Sequence, residues 1–205
     1  KGAAVELQLE TKRLLLRRPR VSDLAPYERI RNSEYVLRYN AMDRVKKKKV
    51  ADQLLEDSTS DRVFFLEERS TGSLVGAVWL AEDDLRPKVK AVSLEYFLDE
   101  RFAGQGLMTE ALEALLPYAF FKLGAVVVSA RVCVENRASQ RVLEKLGFTR
   151  EGRLRQAVRG YRDVVRDDLP FSLLREEFVR QRQESECKGD GIWTARRQPN
   201  GSTSF

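Results

Sequence analysis

The residues from 101 to 106 have the types and spacing of a loop that binds an anion. Arg101-Phe102-Ala103-Gly104-Gln105-Gly106 separates an apolar strand pattern from an apolar helical pattern. Gly104 and Gly106 are therefore expected at a helix N-terminus, where unpaired N–H groups and the positive end of the helix dipole favour negative charge. The glycines would let a phosphate approach the main chain, and Arg101 could add a charge-assisted contact.

Two common nucleotide-binding motifs do not fit this loop. Met108-Thr109 stands where a triphosphate-binding loop needs Lys followed by Ser or Thr. Thr109 also replaces the last glycine of the dinucleotide fingerprint. Coenzyme A, which also carries a pyrophosphate, is the remaining candidate.

A second motif lies about thirty residues further along the chain. Asn136-Arg137-Ala138-Ser139 begins another helical pattern that leads into Leu146-Gly147-Phe148. Either motif alone is weak, because glycine-containing turns between strands and helices are common. Together, in this order and spacing, they are specific.

With both motifs in place, the chain resembles the GNAT superfamily of acetyltransferases, whose pyrophosphate loop has the form Q/R-x-x-G-x-G/A. Within that superfamily it resembles the RimJ/RimL-type protein N-terminal acetyltransferases. The resemblance runs from about Thr11 to Leu174. It is supported by Arg13-Leu14-Leu15-Leu16-Arg17, Ser22-Asp23-Leu24, Gly106-Leu107-Met108-Thr109-Glu110-Ala111 and Leu143-Glu144-Lys145-Leu146-Gly147-Phe148.

The resemblance implies acetyl-CoA as co-substrate, no metal, and direct transfer of the acetyl group to a primary amine. It also implies that a main-chain N–H near Phe97 or Leu98 polarises the thioester carbonyl. The residues expected to bind the co-substrate are Phe97, Leu98, Arg101, Phe102, Ala103, Gly104, Gln105, Gly106, Leu107, Met108, Thr109, Asn136 and Ser139.

Ser139 is the expected proton donor to the thiolate leaving group. It matches the Asn-x-x-Ser position of the family, three residues after the expected helix cap Asn136. Its hydroxyl would protonate the thiolate or hold a water molecule, or alternatively only support the first helical turn. Many members of the superfamily place a tyrosine acid later on this helix, where Leu143 stands here.

Glu95 is the expected general base. It precedes the loop on a strand, where alternation with Leu94 and Tyr96 could direct it toward the acceptor. Relatives can use a carboxylate on the last hairpin, but Val158 occupies the matching position. A water molecule relayed to Glu95 or to Glu135 remains an alternative.

The shortage of strong bases favours an acceptor that is already partly neutral. An α-amine with a pKa of ~8 is substantially neutral at cellular pH, whereas a lysine side chain at ~10.4 is not. The predicted acceptor is therefore the N-terminal amine of a protein or peptide, such as a ribosomal protein. The alternatives are a small amine (aminoglycoside, amino sugar or amino acid) and a non-catalytic module that binds CoA or associates with RNA.

Composition restricts the remaining classes. The 205 residues, of which 42% are hydrophobic, suit one domain over 1–183 followed by a polar tail over 184–205. Within that tail, Trp193 could pack against the domain or a neighbouring chain. The absence of histidine excludes Ser-His and Cys-His nucleophiles, and two distant cysteines give no disulfide framework. Without a signal-peptide pattern or an apolar run of ~20 residues, the expected location is the cytoplasm, as a monomer or homodimer.

The net charge of +6 is concentrated in the first quarter of the chain. Residues 1–50 carry +8 and the remainder −2. Lys46-Lys47-Lys48-Lys49 is expected to be a solvated face, with contact to RNA, a ribosomal surface or an acidic acceptor as the alternative.

The expected fold is mixed α/β and GNAT-like. A mostly antiparallel sheet of six or seven strands would carry one parallel strand-helix-strand crossover at the splayed CoA site, with helices on both faces. The strand patterns cover 11–17, 62–68, 74–81, 90–98, 126–134, 148–158 and 161–174. Helical patterns cover 24–30, 46–56, 107–123 and the segment after Asn136.

Overall fold

A computed structural model describes residues 7–187 of the chain, in which nine strands form a single sheet. The strands are β1 (Gln8–Glu10), β2 (Leu14–Arg17), β3 (Val63–Glu68), β4 (Leu74–Glu82), β5 (Ala91–Leu98), β6 (Val127–Cys133), β7 (Thr149–Arg150), β8 (Leu154–Arg159) and β9 (Val165–Leu174). Their order is β1-β2-β3-β4-β5-β6-β9-β7, and β8 also pairs with β9.

Six α-helices accompany the described sheet. They are α1 (Leu24–Arg31), α2 (Glu34–Leu37), α3 (Lys47–Asp57), α4 (Leu107–Pro117), α5 (Arg137–Lys145) and α6 (Arg175–Cys187). A π-helical turn, Tyr118–Lys122, continues α4 directly after Pro117, which has no N–H to donate to the helix. Gly124 then ends this helical segment at φ +71°, a left-handed conformation that glycine adopts readily.

The sheet has one parallel pair, and that pair opens at one end. β5 and β6 run parallel from the pair Ala91–Val127 to the pair Leu94–Ala130. Beyond that point β5 stays paired with β4 and β6 stays paired with β9, but the two strands no longer pair with each other. This confirms the predicted mixed sheet with a crossover at a splayed position.

Two hydrophobic cores cover the two faces of the sheet. Leu112 of α4, Leu143 of α5 and Phe178 of α6 belong to the larger core. The smaller core lies on the opposite face, where the helices α1, α2 and α3 pack. Side chains of β5 alternate between the cores, with Leu94 in the larger and Phe97 in the smaller.

The sheet has nine strands instead of six or seven for two reasons. The short edge strand β1 was not predicted, and the pattern over 148–158 is divided into β7 and β8. Helix α6 was also not predicted, because its one buried residue among the side chains described is Phe178 and no apolar stripe marks it. The predicted tail begins inside α6, and its residues from 188 onward, including Trp193, lie outside the described part of the chain.

Candidate active site

The loop between β5 and α4 has the backbone geometry that an anion site requires. Gly104 and Gly106 have φ values of +73° and +77°, a region that side-chain-bearing residues rarely adopt. Helix α4 begins at Leu107, and the N–H of Glu110 makes the bond back to the carbonyl of Gly106, at 3.1 Å. The N–H groups of the three residues between them have no acceptor within the helix.

Arg13 and Glu110 brace this loop against β2. The Arg13 Nε lies 2.7 Å from a carboxylate oxygen of Glu110, and its Nη1 donates to the carbonyl of Gln105 at 2.9 Å. Although desolvation opposes it, hydrogen bonds from Thr11 and Arg13 hold the pKa of Glu110 below its ordinary value. The loop is therefore fixed by a residue ninety positions earlier in the chain.

Asp99 fixes the other end of the loop. Its buried carboxylate accepts hydrogen bonds from Arg101, at 2.7 Å, and from Arg29 of α1, at 2.8 Å. Desolvation raises its pKa, but the bonds from Arg101 and Arg29 outweigh this effect and bring the pKa to about 2. The side chain of Arg101, expected to face an anion, is thus paired with Asp99 and 63% exposed.

Ser139 is held by two contacts at the start of α5. The Asn136 side chain accepts the N–H of Ser139 at 3.1 Å, so Asn136 caps the helix as expected. The Ser139 hydroxyl lies 2.6 Å from the hydroxyl of Tyr96 on β5. Desolvation raises the pKa of Tyr96 to about 12, although the hydrogen bond with Ser139 opposes that shift, so the pair keeps both protons at neutral pH.

The open edge of β5 presents main-chain N–H groups to this pair. Asp99 donates its N–H toward β4 at 2.8 Å, whereas the carbonyl of Lys90 accepts from the segment entering β6 at 2.8 Å. Because these directions alternate along a strand, the N–H groups of Tyr96 and Leu98 point toward the opening. The N–H of Phe97 points toward β4, so Leu98 is the better placed of the two expected donors.

A cleft of about 1020 Å³ joins the loop, the hydroxyl pair and the far side of the sheet. Most of the predicted site residues line it, whereas Arg101, Phe102 and Gln105 do not. The predicted residues that line the cleft are Glu95, Phe97, Leu98, Ala103, Gly104, Gly106, Leu107, Met108, Thr109, Asn136 and Ser139.

Glu95 lies on the opposite face of β5 from Tyr96, where the cleft continues. It is paired in register with Trp79 of β4 and remains accessible to solvent. Desolvation by the walls of the cleft, followed by repulsion from Asp84, raises its pKa. A carboxyl group of this kind can accept a proton closer to neutral pH than an ordinary glutamate.

The family of the chain follows from its sequence match. The sequence model of one protein family, described as the acetyltransferase (GNAT) domain, matches residues 13–149, about two thirds of the chain. The chain belongs to the GNAT acetyltransferase family. GNAT acetyltransferases use acetyl-CoA, and the matched segment contains the loop, Glu95 and Ser139.

Individual relatives agree with this assignment. "Probable N-acetyltransferase YjcK" of Bacillus subtilis (strain 168) is 39% identical over 90 residues, which cover 44% of this chain and 49% of that protein. "Putative ribosomal N-acetyltransferase YdaF" of the same organism is 32% identical over 108 residues, 52% of this chain and 57% of that protein. The matches span about half the length of these curated relatives.

A solved structure shares the fold. RimJ of Mycobacterium smegmatis, in complex with CoA-disulfide, superposes with a TM-score of 0.70 at 22% sequence identity. The match covers 88% of this chain and 91% of that chain. At this identity the likeness concerns the fold alone.

Several residues of this GNAT site were not predicted from the sequence. Tyr96 was read only as part of an apolar strand pattern. Asp168 of β9 belongs to no recognisable motif, but its buried carboxylate lines the cleft and lies 2.9 Å from the guanidinium group of Arg131. Desolvation raises the pKa of Asp168. An aromatic wall of Tyr27, Trp79 and Phe97 also lines the cleft, with ring centroids 5.3 to 6.5 Å apart.

The two positions that depart from the expected family pattern carry apolar residues. Leu143 is fully buried in the larger core. Val158 lines the cleft as an apolar residue.

Among residues 7–187, no group of three or more acidic or cysteine side chains could hold a metal ion. No helix in that range is long and apolar enough to cross a bilayer.

Proposed function

We propose that this chain transfers the acetyl group of acetyl-CoA to the N-terminal α-amine of a protein or peptide, as a RimJ/RimL-type enzyme. The observation that carries the proposal is the single cleft that connects the glycine loop and the Ser139–Tyr96 pair with Glu95 on the other face of β5. Donor and acceptor can therefore meet across the opening between β5 and β6.

The residues of the loop fit coenzyme A. Gly104 and Gly106 leave the main chain open, and three unpaired N–H groups at the start of α4 suit a pyrophosphate. Asn136 and Ser139 lie on the opposite wall, at the start of α5. The pantetheine arm would then occupy the opening in which Leu98 presents its N–H.

One main-chain N–H and three side chains share the steps of the proposed reaction. The Leu98 N–H polarises the thioester carbonyl as the amine nitrogen bonds to its carbon. Ser139 donates its proton to the sulfur as the carbon–sulfur bond breaks, and Tyr96 passes its own proton to Ser139 through the 2.6 Å contact. Water in the cleft, which Tyr96 lines, then returns a proton to Tyr96. Glu95, directly or through water, takes the proton that the amine loses.

Two observations support an α-amine as the acceptor. The candidate bases are carboxylates, and an α-amine with a pKa of ~8 is already substantially neutral at cellular pH, so it needs less help from a base than a lysine side chain at ~10.4 does. One similar protein bears the name of a ribosomal N-acetyltransferase, which suits a protein acceptor.

Internal competition within one peptide tests the proposal. A peptide with a free α-amine and one lysine is incubated with acetyl-CoA near pH 7.5, and mass spectrometry locates the acetyl group. The proposal predicts acetylation at the α-amine, and no reaction when that amine is blocked by a formyl group. Acetylation of the lysine instead, or of a small amine such as an aminoglycoside while every peptide stays unmodified, would contradict it.

A further inference from the structure

A second groove adjoins the cleft on the face of the sheet where α1 and α2 pack and where Glu95 lies. It has a volume of about 360 Å³ and lies between α2 and the hairpin formed by β8 and β9. Tyr35 lines both the cleft and this groove, so the two are neighbours. An acceptor longer than one residue could therefore extend from the cleft into the groove.

Two arginines of this groove lack an acidic partner within the described part of the chain. Neither Arg38 nor Arg166 forms an ion pair with a carboxylate of residues 7–187. Their guanidinium carbons lie 5.7 Å and 5.9 Å from the centroid of the same ring, that of Tyr39. The Arg166 Nε also donates to the carbonyl of Arg38 at 3.3 Å, which ties the hairpin to α2.

The groove is also lined by two acidic residues, of which one is paired. Glu34 is paired with both Arg162, at 3.0 Å, and Arg44, at 2.9 Å. Glu100 also lines the groove and has no cationic partner among the described residues, so it opposes the two arginines in part. Counting only the described residues, Arg38 and Arg166 against Glu100, the unpaired charge of the groove is positive.

We propose that Arg38 and Arg166 form a subsite for the carboxylates of an acidic acceptor peptide, at residues that follow its reactive N-terminus. Guanidinium groups held against an aromatic ring are preorganised for carboxylate recognition, so each loses little freedom on binding. This inference rests on the proposed function, because it places the α-amine in the cleft. It narrows the substrate class to N-termini with Asp or Glu close behind the first residue.

Binding without turnover provides the test. Isothermal titration with CoA in place of acetyl-CoA compares two heptapeptides that differ only by Asp or Asn at positions two to four. The acidic peptide should bind about tenfold more tightly, as one charge-assisted contact would give, and Arg38→Gln and Arg166→Gln should each remove most of that preference. Glu100→Gln should increase the preference.

Arg159→Gln is the matched control. Arg159 lies on the same hairpin but lines neither the cleft nor the groove. Its side chain is 72% exposed and lies 3.5 Å from the carboxylate of Asp163. The variant loses the same charge and should keep the full preference. Equal affinity for the two peptides, or an equal loss in the control, would overturn the subsite.

Turnover separates this inference from the function on which it rests. Acetylation of both peptides at the α-amine with equal affinity would overturn the subsite and leave the function intact. Charge-dependent binding with no acetylation of any peptide would uphold the subsite and contradict the function. Tight binding of a single-stranded RNA, lost in the same two variants while acidic peptides bind no better than neutral ones, would assign the groove to RNA instead.

Discussion

The proposed chemistry depends on the hydroxyl of Ser139, and Tyr96 positions that hydroxyl. Their oxygens are 2.6 Å apart, and Tyr96 remains protonated at neutral pH because its pKa is about 12. Tyrosine can therefore donate to the serine and leave the serine proton free for the departing sulfur. The sequence separation of 43 residues hides this contact from any local pattern.

Replacement of Tyr96 by phenylalanine tests this role. We expect kcat to fall about tenfold, the value of one hydrogen bond in the transition state, while the Kd of acetyl-CoA stays within twofold. The Ser139→Ala, Tyr96→Phe double variant should be no slower than Ser139→Ala alone. Tyr118→Phe, which removes a hydroxyl 3.0 Å from the carbonyl of Asp61 outside the cleft, is the control and should not change kcat.

The pH dependence of the reaction identifies the base. Glu95 acts as a base only when ionised, so kcat/KM should fall as the pH drops through its pKa, which lies above the ordinary value. Glu95→Gln should remove this acidic limb and leave the limb of the acceptor amine near pH ~8. A profile that changes in Glu135→Gln and not in Glu95→Gln would assign the base to the relay through Glu135.

At the scale of elements, the loop before α4 is the part that must bind the co-substrate. Gly104→Glu should reduce acetyl-CoA affinity at least a hundredfold, because it adds both a side chain and a negative charge where the pyrophosphate would lie. Gly72→Glu is a matched control, since Gly72 has the same left-handed backbone (φ +70°) and equally open space in a turn between β3 and β4. Calorimetric affinities that change alike in the two variants would show that backbone strain, and not the loop, is responsible.

Asp99 links the same loop to α1 and makes stability depend on pH. Its folded pKa of about 2 lies below the unfolded value of ~3.9, so its contribution is present above pH ~4 and is lost as the pH falls toward 2. Asp99→Asn should lower the free energy of unfolding by about 1–2 kcal/mol at pH 7, a value reduced because Arg29 and Arg101 are exposed.

Urea denaturation at several pH values measures this contribution. The difference between the parent and Asp99→Asn should shrink as the pH approaches 2, because the parent carboxylate is then protonated in the unfolded state and about half protonated in the folded state. Asp163→Asn, whose side chain is 85% exposed beside Arg159, should leave the unfolding free energy unchanged. A difference at Asp99 that is constant from pH 7 to pH 2 would show that its charge is not the cause.

At the scale of the molecule, local patterns were enough to predict the crossover that forms the site. The strand before Gly104, the helix after it and the cap at Asn136 are each encoded within a few residues. The complete sheet, with its splayed strands and helices on both faces, was implied by the family resemblance.

Features assembled from distant segments could not be predicted in this way. The aromatic wall joins three elements, and the groove beside the cleft brings α2 against a hairpin some 125 residues later. Among the described side chains of α6 only Phe178 is buried, so its sequence carries almost no helical period. Such contacts depend on tertiary packing, which propensity and periodicity do not report.

The whole molecule places its parts around one opening. β5 leaves β6 after Leu94, the glycine loop lies at the end of β5, and α5 brings Ser139 to the other side. Glu95 reaches the opening from the opposite face of the sheet. We expect an acetyl group to pass from acetyl-CoA to an amine at this opening.

Free-thiol release from acetyl-CoA, followed with and without an N-terminal peptide, tests this transfer. The parent should release thiol only when the peptide is present, and Ser139→Ala should lower kcat about a hundredfold, as loss of a general acid does. Ser70→Ala, in an exposed turn, should match the parent. Peptide-dependent release that is equally fast in Ser139→Ala would contradict the role of the pair, and no release with any amine despite acetyl-CoA binding would contradict the enzymatic function itself.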